Sequence, residues 1–321
     1  MTCIIKRKIE MHKDSRILIT GSTGLLGSAL AMKLKEHGYS NCFTPSSKEL
    51  NLLSFDDTLE AICEQYKPEY VFHLAGAVYG IGGNLKKSNR IFLENTLINT
   101  HVVEASFRAG VKKIVAMGSI CAYPTPYPFN EALTEDNIFQ GIPHFAERAY
   151  GQSKRAMLAQ LESYNQNELE HAFVISSNLY GPHDHFNLET GHVIPSLIRK
   201  FYEAKQQNQP VQIWGDGLTR RDIMHSWDAA NALIAVMLNL TGRVNLATGQ
   251  MMSIAEIVKL LGEISGVTEW HFDDTKPKGH EFHGINIDKL NNIGFAPSFD
   301  AKGGLEQAYH WYAQNVSTAR K

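Results

Sequence analysis

The sequence predicts an α/β fold: a doubly wound parallel sheet followed by a smaller α/β lobe toward the C-terminus. Three observations predict it. Short apolar, β-branched runs alternate with helical patterns through the first half of the chain, the spacing of βαβ units. The first of these runs passes directly into a glycine-rich turn and an amphipathic segment. Beyond Ser177 the composition shifts toward Pro, Asn and His, and loops interrupt shorter elements, as expected of a second lobe over the C-terminal edge of the sheet.

Taken in order, Met1 to Lys13 alternate apolar and basic residues without a run long enough for a signal peptide, and read as a loose extension. Arg16-Ile17-Leu18-Ile19-Thr20 reads as the first strand, Gly21-Ser22-Thr23-Gly24-Leu25-Leu26-Gly27 as the turn, and the pattern with Leu26, Leu30 and Leu34 as the first helix. Glycines belong at such a turn because backbone N–H groups and a helix N-terminus approach a pyrophosphate closely, where a Cβ would obstruct. The turn therefore reads as a dinucleotide site, with spacing G-x-x-G-x-x-G in place of G-x-G-x-x-G.

A second strand, about 41–44, ends in Pro45-Ser46-Ser47-Lys48, where an NAD site would carry an acid for the ribose 2′-hydroxyl. Hydroxyls and a cation suit a 2′-phosphate, so the turn predicts NADPH over NADH; the alternative is an ordinary polar turn. Next come a helix over 55–66, a strand over 70–74 and the small residues Ala75-Gly76-Ala77, which let backbone pass close to a cofactor. Gly80 to Asn84 reads as a flexible loop, 91–109 as a helix and Lys113 to Met117 as the strand that delivers Ser119. His73, at a strand end, reads as structural. A helix with Tyr150, a strand over 171–175, a helix over 231–238, a strand over 243–246 that rejoins the first sheet, and helices over 254–264 and 304–313 complete the expectation. The expected domains are an extension (1–13), a cofactor domain (14–177, with 218–250 returning to it) and a substrate lobe (178–321).

The candidate chemistry rests on Ser119 and Tyr150-Gly151-Gln152-Ser153-Lys154. Spacing i,i+4 on a helix puts Tyr150 and Lys154 on one face. There the ammonium is expected to pull the phenol below its ordinary value near ~10, while the Ser119 hydroxyl holds the same carbonyl oxygen. Tyr-x-x-x-Lys also occurs by accident on amphipathic helices, and the cofactor turn is what favours the chemical reading.

Composition excludes other classes. With 43% hydrophobic and 20% charged residues among 321, the chain has ample core material. A net charge of −2 without a basic block argues against nucleic acid as a partner. Cys3, Cys42, Cys63 and Cys121 include no CxxC pair, so neither disulfides nor a metal site is expected, and a reducing cytoplasm is. No stretch approaches the ~20 apolar residues of a membrane span.

Together, the glycine turn, Ser119 and Tyr150-x-x-x-Lys154 resemble the extended short-chain dehydrogenase/reductase family over most of the chain. Within it, Gly118-Ser119-Ile120-Cys121-Ala122-Tyr123-Pro124, Asn178-Leu179-Tyr180-Gly181-Pro182-His183-Asp184, Gly191-His192-Val193-Ile194-Pro195, Trp214-Gly215-Asp216-Gly217 and Arg220-Arg221 resemble the GDP-L-fucose synthases. The resemblance implies a Rossmann enzyme that uses NADP(H) to invert C3 and C5 of GDP-4-keto-6-deoxy-D-mannose and reduce its C4 ketone. It implies a catalytic set of Ser119, Cys121, Tyr150, Lys154 and His192, with Cys121 and His192 as base and acid of the inversion. It implies cofactor contacts from Gly21, Ser22, Thr23, Gly24, Leu25, Leu26 and Gly27, from Ser46, Ser47 and Lys48, from Leu74, Ala75 and Gly76, and from Tyr150, Lys154, Asn178 and His192. Substrate contacts are implied for Ser119, Asn178, Lys200, Trp214 and Arg221, and a homodimer is implied through the helices near 91–109 and 150–165.

Each assignment has a plainer competitor: a buried thiol for Cys121, a helix cap for His192, a core ring for Trp214. The chain departs from that family at Lys276-Pro277-Lys278-Gly279-His280-Glu281-Phe282-His283, where a basic pair is expected, and at Asp222 and Asn286. These departures bear on the sugar more than on the reaction type. Another GDP-linked sugar such as a 6-deoxy-heptose, or a non-catalytic NADP-binding regulator, are the alternatives.

Overall fold

Strand β1 (Ile17–Thr20) shows why the sheet is apolar on both sides. Ile17 and Ile19 pack into one helix layer and Leu18 into the other, all fully buried. A strand covered on both faces reads as a continuous apolar run and not an alternating one. In this computed structural model the described residues are 9–79, 84, 87–125, 131–164, 167–276 and 284–321.

Helix α1 (Leu25–Glu36) follows the glycine turn and buries Leu26, Leu30 and Leu34. After β2 (Cys42–Phe43), α2 (Phe55–Glu60) is capped by Ser54 and runs on as a π-helical segment, Ala61–Tyr66, within the single helix expected there. Then come β3 (Tyr70–His73), α3 (Ser88–Arg108), β4 (Lys113–Met117), the 3₁₀ turn Ile120–Ala122, α4 (Arg148–Ser163) and β5 (Glu170–Ser176). The rest comprises β6 (Asn178–Tyr180), α5 (Val193–Gln207), β7 (Val211–Trp214), β8 (Arg220–His225), α6 (Ser226–Asn239), β9 (Gly242–Leu246), β10 (Met251–Ser253), α7 (Ile254–Ser265), β11 (Trp270–Asp273), α8 (Asp288–Asn291) and α9 (Ala301–Gln314). Helix α6 starts before the expected residue 231, because the His225 ring accepts the N–H of Trp227 and caps it.

The main sheet is parallel throughout, in the order β2-β1-β3-β4-β5-β9. The chain steps outward from β1 to β2 and returns to β3 on the other side, so the switch point lies between β1 and β3, where such sheets bind ligands. Helices α1 and α6 cover one face, α3 and α4 the other. Strands β10, β8 and β6 form a second sheet, β11 and β7 a third, and α5, α7 and α9 close a separate core around Phe201, Leu261 and Tyr312.

The N-terminal segment corrects one expectation. Of the extension read as loose, residues 9–13 pack on the α1/α6 layer: Met11 is buried and the Ile9 N–H donates to the Leu238 carbonyl at 3.0 Å. The apolar half of its alternation finds a surface there. Residues 1–8, the expected loop over 80–84 apart from Asn84, and the departure at 277–283 lie outside the described residues.

Candidate active site

A cavity of about 740 Å³ opens over the C-terminal ends of β1, β3, β4 and β5. One half is the glycine turn. Gly21 has φ +72°, and a Cβ on Gly27 would stand 2.2 Å from the Gly21 carbonyl oxygen, so the turn lies on the first coil of α1 only because both residues are glycines. The Ser22 hydroxyl does not face the cavity; it donates to the Thr44 carbonyl at 2.9 Å and ties the turn to the end of β2. Thr23, Gly24, Leu25 and Leu26 line the cavity.

Across the switch point, Leu74, Ala75 and Gly76 line the opposite wall. Their backbone is fixed from beneath: Thr20 Oγ1 accepts from the Leu74 and Ala75 N–H groups, and Asn95 Oδ1 accepts from the Ala77 N–H at 3.0 Å. His73 is fully buried between Thr20 Oγ1 and Asn99 Oδ1, at 2.8 and 3.0 Å. Burial, then the Lys154 charge, depress it to about 3, so it is a neutral strut.

At the adenosine end, Ser46 and Ser47 line the cavity, but Lys48 is exposed and does not. Ser46 N–H and Oγ both donate to Glu49 Oε2 at 2.8 Å, so the turn does contain an acid, held by Ser46 and outside the cavity. The cradle fits a dinucleotide: a turn whose three glycines leave backbone open to a phosphate, a helix N-terminus behind it and hydroxyls at the far end.

The other half of the cavity holds the chemistry. Ser119, Cys121, Tyr150, Lys154, Asn178 and His192 all line it. The Ser119 hydroxyl accepts the Cys121 N–H at 3.2 Å and caps the 3₁₀ turn. That turn is clamped to α4: Arg155 Nε donates to the Ala122 carbonyl at 2.7 Å and Nη1 to the Gly141 carbonyl at 2.6 Å. A Cβ on Gly151 would lie 2.3 Å from the Cys121 carbonyl oxygen, so glycine is what allows α4 to come this near.

Electrostatics in this half departs from expectation. Tyr150 is not lowered by Lys154. Burial raises its phenol, and the acidic Cys121 and Glu147 raise it further, while Lys154 Nζ stands 5.6 Å from the ring centroid. Burial itself brings Lys154 down to about 8. Desolvation opposes the charged form of each. His192 is exposed at the cavity mouth, yet local desolvation, and then repulsion from a protonated His185, lower it from the ordinary imidazole value, so it is mostly neutral near pH 7, not the imidazolium expected.

Three predicted substrate residues lie elsewhere. Lys200 and Trp214 line a second depression of about 280 Å³ on the smaller lobe, where Lys200 Nζ donates to the Gln212 carbonyl at 2.8 Å and sits 5.3 Å from the Trp214 ring centroid. Arg221 lines neither cavity and donates to the Arg220 carbonyl at 2.7 Å. Asp222 is buried and accepts from Thr248 N–H and Oγ1 at 3.0 and 2.9 Å. Asn286 accepts at its carbonyl from Asn245 Nδ2, 3.0 Å.

Among the cavity residues to which sequence reasoning gave no role are Glu147 and Asp184. Glu147 accepts the Cys121 thiol at 3.1 Å, Sγ to Oε1. It lies three residues before Tyr150 and seven before Lys154, a helical spacing that was legible. Asp184 is buried; its Oδ1 accepts the His185 N–H at 2.7 Å, Oδ2 has no hydrogen-bond partner among the described residues, and burial raises the carboxyl to about 7. No sequence spacing announces that burial.

The model of the NAD dependent epimerase/dehydratase family matches residues 17–247. GDP-L-fucose synthase 1 of Arabidopsis thaliana is 33% identical over 309 residues, 95% of each chain. A GDP-L-fucose synthetase from Naegleria fowleri, solved bound to NADP, superposes with a TM-score of 0.90 at 30% identity, covering 99% of this chain and 98% of that one. A GDP-6-OMe-4-keto-L-xylo-heptose reductase from Campylobacter jejuni gives a TM-score of 0.86 at 27% identity, over 95% and 99% of the two chains.

Proposed function

The chain belongs to the NAD dependent epimerase/dehydratase family, and on that premise we propose that it converts GDP-4-keto-6-deoxy-D-mannose to GDP-L-fucose, inverting C3 and C5 and reducing C4 with NADPH. The observation that carries this reading is that Cys121 and His192 open into the same cavity as Ser119, Tyr150 and Lys154. A plain ketone reductase has no use for a second pair of proton-transferring groups.

Hydrogens beside a ketone are acidic because the carbanion delocalises onto oxygen as an enolate. In this reading the Tyr150 and Ser119 hydroxyls donate to that oxygen, Cys121 removes the proton from carbon, and His192 returns one from the other face. When bound, the cofactor supplies the hydride for C4. Tyr150 then gives its proton to the C4 oxygen, a role that suits a phenol raised by burial and therefore protonated at neutral pH. Lys154, at the next turn of α4, offers its ammonium to the cofactor ribose. The glycine turn holds the pyrophosphate and Ser46 and Ser47 the 2′-phosphate, with Asn178 beside the substrate.

The GDP moiety would bridge toward the smaller lobe, where Lys200, Trp214 and Arg221 remain its proposed contacts. We assign residues 14–177 and 218–250 to the cofactor domain and the remainder from 178 to the substrate lobe. A homodimer through α3 and α4 is part of this reading, and α3 leaves Phe92 and Leu93 exposed. So is a cytoplasmic setting; among the described residues no helix is long and apolar enough to cross a membrane.

A second reading, C4 reduction of a GDP-linked heptose, draws support from the Campylobacter jejuni neighbour. Incubation with GDP-4-keto-6-deoxy-D-mannose and NADPH in D₂O separates the two. Deuterium at C3 and C5 of GDP-L-fucose is the expected result. Reduction without label would leave a C4-reductase, and turnover only with the heptose ketone would replace the sugar.

A further inference from the structure

Within this reading, Cys121 poses a difficulty that the structure also answers. Removing a proton from carbon requires a thiolate. Burial raises the Cys121 thiol well above its ordinary value, and the Glu147 charge raises it further. A thiolate beside an ionised Glu147, with 3.1 Å between sulfur and oxygen, would put two negative charges in one half-buried corner. As an independent base Cys121 is disfavoured.

The same contact supplies the way out. Glu147 is the N-terminal flanking residue of α4, half-buried and lining the cavity, and its Oε1 accepts the Cys121 S–H. The partners cannot drift apart. Arg155 clamps the 3₁₀ turn to α4, and Gly151, one turn beyond Glu147, packs against the Cys121 carbonyl. We propose that Cys121 and Glu147 form one acid–base unit holding a single proton between them, with Glu147 as the residue that takes the thiol proton and so arms Cys121.

The steps balance. At rest the proton is on sulfur and the negative charge on the carboxylate. Its shift across the hydrogen bond gives a thiolate and a neutral carboxylic acid, so the corner still carries one negative charge. The thiolate takes the proton from carbon, an S–H bond forms as the C–H bond breaks, and the electron pair moves onto the ketone oxygen. His192 protonates the carbon from the other face. Glu147 then releases its proton to water and His192 takes one up, restoring the proton-donating form from which the cycle began. Glu147 acts through Cys121, so it is a positioning residue. Other ionisable groups lining the cavity are Tyr150 and Lys154 on the same helix and Tyr79 after β3. His183, Asp184, His185, His192 and Arg320 line it as well.

The test is the pH profile of Cys121 alkylation by iodoacetamide in the full-length protein without sugar, read at the Cys121 peptide by mass spectrometry, for the wild type and Glu147→Gln. A shared proton makes thiolate available once the pair has lost its first proton. The wild-type rate should therefore rise, reach a plateau and rise again with loss of the second. Glu147→Gln should show one rise only, with NADPH binding retained as the check on folding. Profiles of the same shape in both proteins would overturn the proposal. In D₂O with the GDP-keto sugar, Glu147→Gln should lose C3 and C5 exchange by about 100-fold or more; exchange within threefold of wild type would overturn it. A two-limbed wild-type profile without exchange on that sugar would sink the substrate reading and leave the pair standing.

Discussion

Among single residues, His192 makes the pH dependence of the inversion specific. In the proposed inversion it must be protonated to deliver a proton, and local desolvation with a neighbouring His185 lowers it. The protonated fraction therefore falls as pH rises through a value below the ordinary ~6.5. Deuterium exchange at C3 and C5 should decline about tenfold per pH unit above that point, and NADPH oxidation with an already epimerised ketone should not follow it. Parallel decline of both activities would take the proton delivery away from His192. The residue types at this site were legible: Ser119, Tyr150 and Lys154 announced themselves by spacing, and Cys121 and His192 by resemblance. The sign of the Tyr150 shift was not, because it depends first on how deeply the phenol is buried and then on which charges surround it. Those turned out to be a thiol and a carboxylate, with the ammonium 5.6 Å from the ring centroid.

Elements act here through how nearly they approach one another. Helix α4 presents Glu147, Tyr150 and Lys154 on one face, and the 3₁₀ turn bearing Cys121 lies against it through Gly151. Gly151→Ala places a Cβ 2.3 Å from the Cys121 carbonyl oxygen, so turn and helix must separate. The expected cost is about 1–3 kcal/mol in urea unfolding, as for overpacking elsewhere, together with a larger relative loss of epimerisation than of NADPH binding. Unchanged epimerisation would mean that the turn adapts freely. A second element contact has the same origin in tertiary structure. Lys113 of β4 is fully buried and its Nζ donates to the carbonyls of Val236, Met237 and Leu240 at 3.2, 2.7 and 2.7 Å, placing a cation at the C-terminus of α6. In the sequence it was one basic residue in a strand.

At the scale of the whole molecule, buried titratable groups couple stability to pH. Asp184 has its carboxyl raised from 3.8 to about 7 by burial, so the folded protein holds a proton there that the unfolded chain releases. Its favourable contribution is complete below the unfolded value and is lost as pH rises through about 7. Asp184→Asn, which never ionises, should therefore gain stability relative to wild type on going from pH 4 to pH 8. Urea midpoints at the two pH values measure this, and a difference that does not change between them would show that Asp184 ionises as freely folded as unfolded. His73 is the opposite case: depressed to about 3, it withdraws stability as pH falls from 6.5.

By itself the sequence determined the parallel sheet, the glycine turn and the family, because period, spacing and turn chemistry are local properties of a chain. It also carried the NADPH expectation and the Ser, Tyr and Lys set. Tertiary structure decided the rest: that residues 9–13 lie on the core, that Lys200 and Trp214 stand apart from the catalytic cavity, and that Lys48 does not line it. It also decided that Glu147 meets Cys121. The physical reason is the same each time. Burial and the charge of a neighbour distant in sequence set what a thiol, a phenol or a carboxyl can do, and neither exists until the chain has folded.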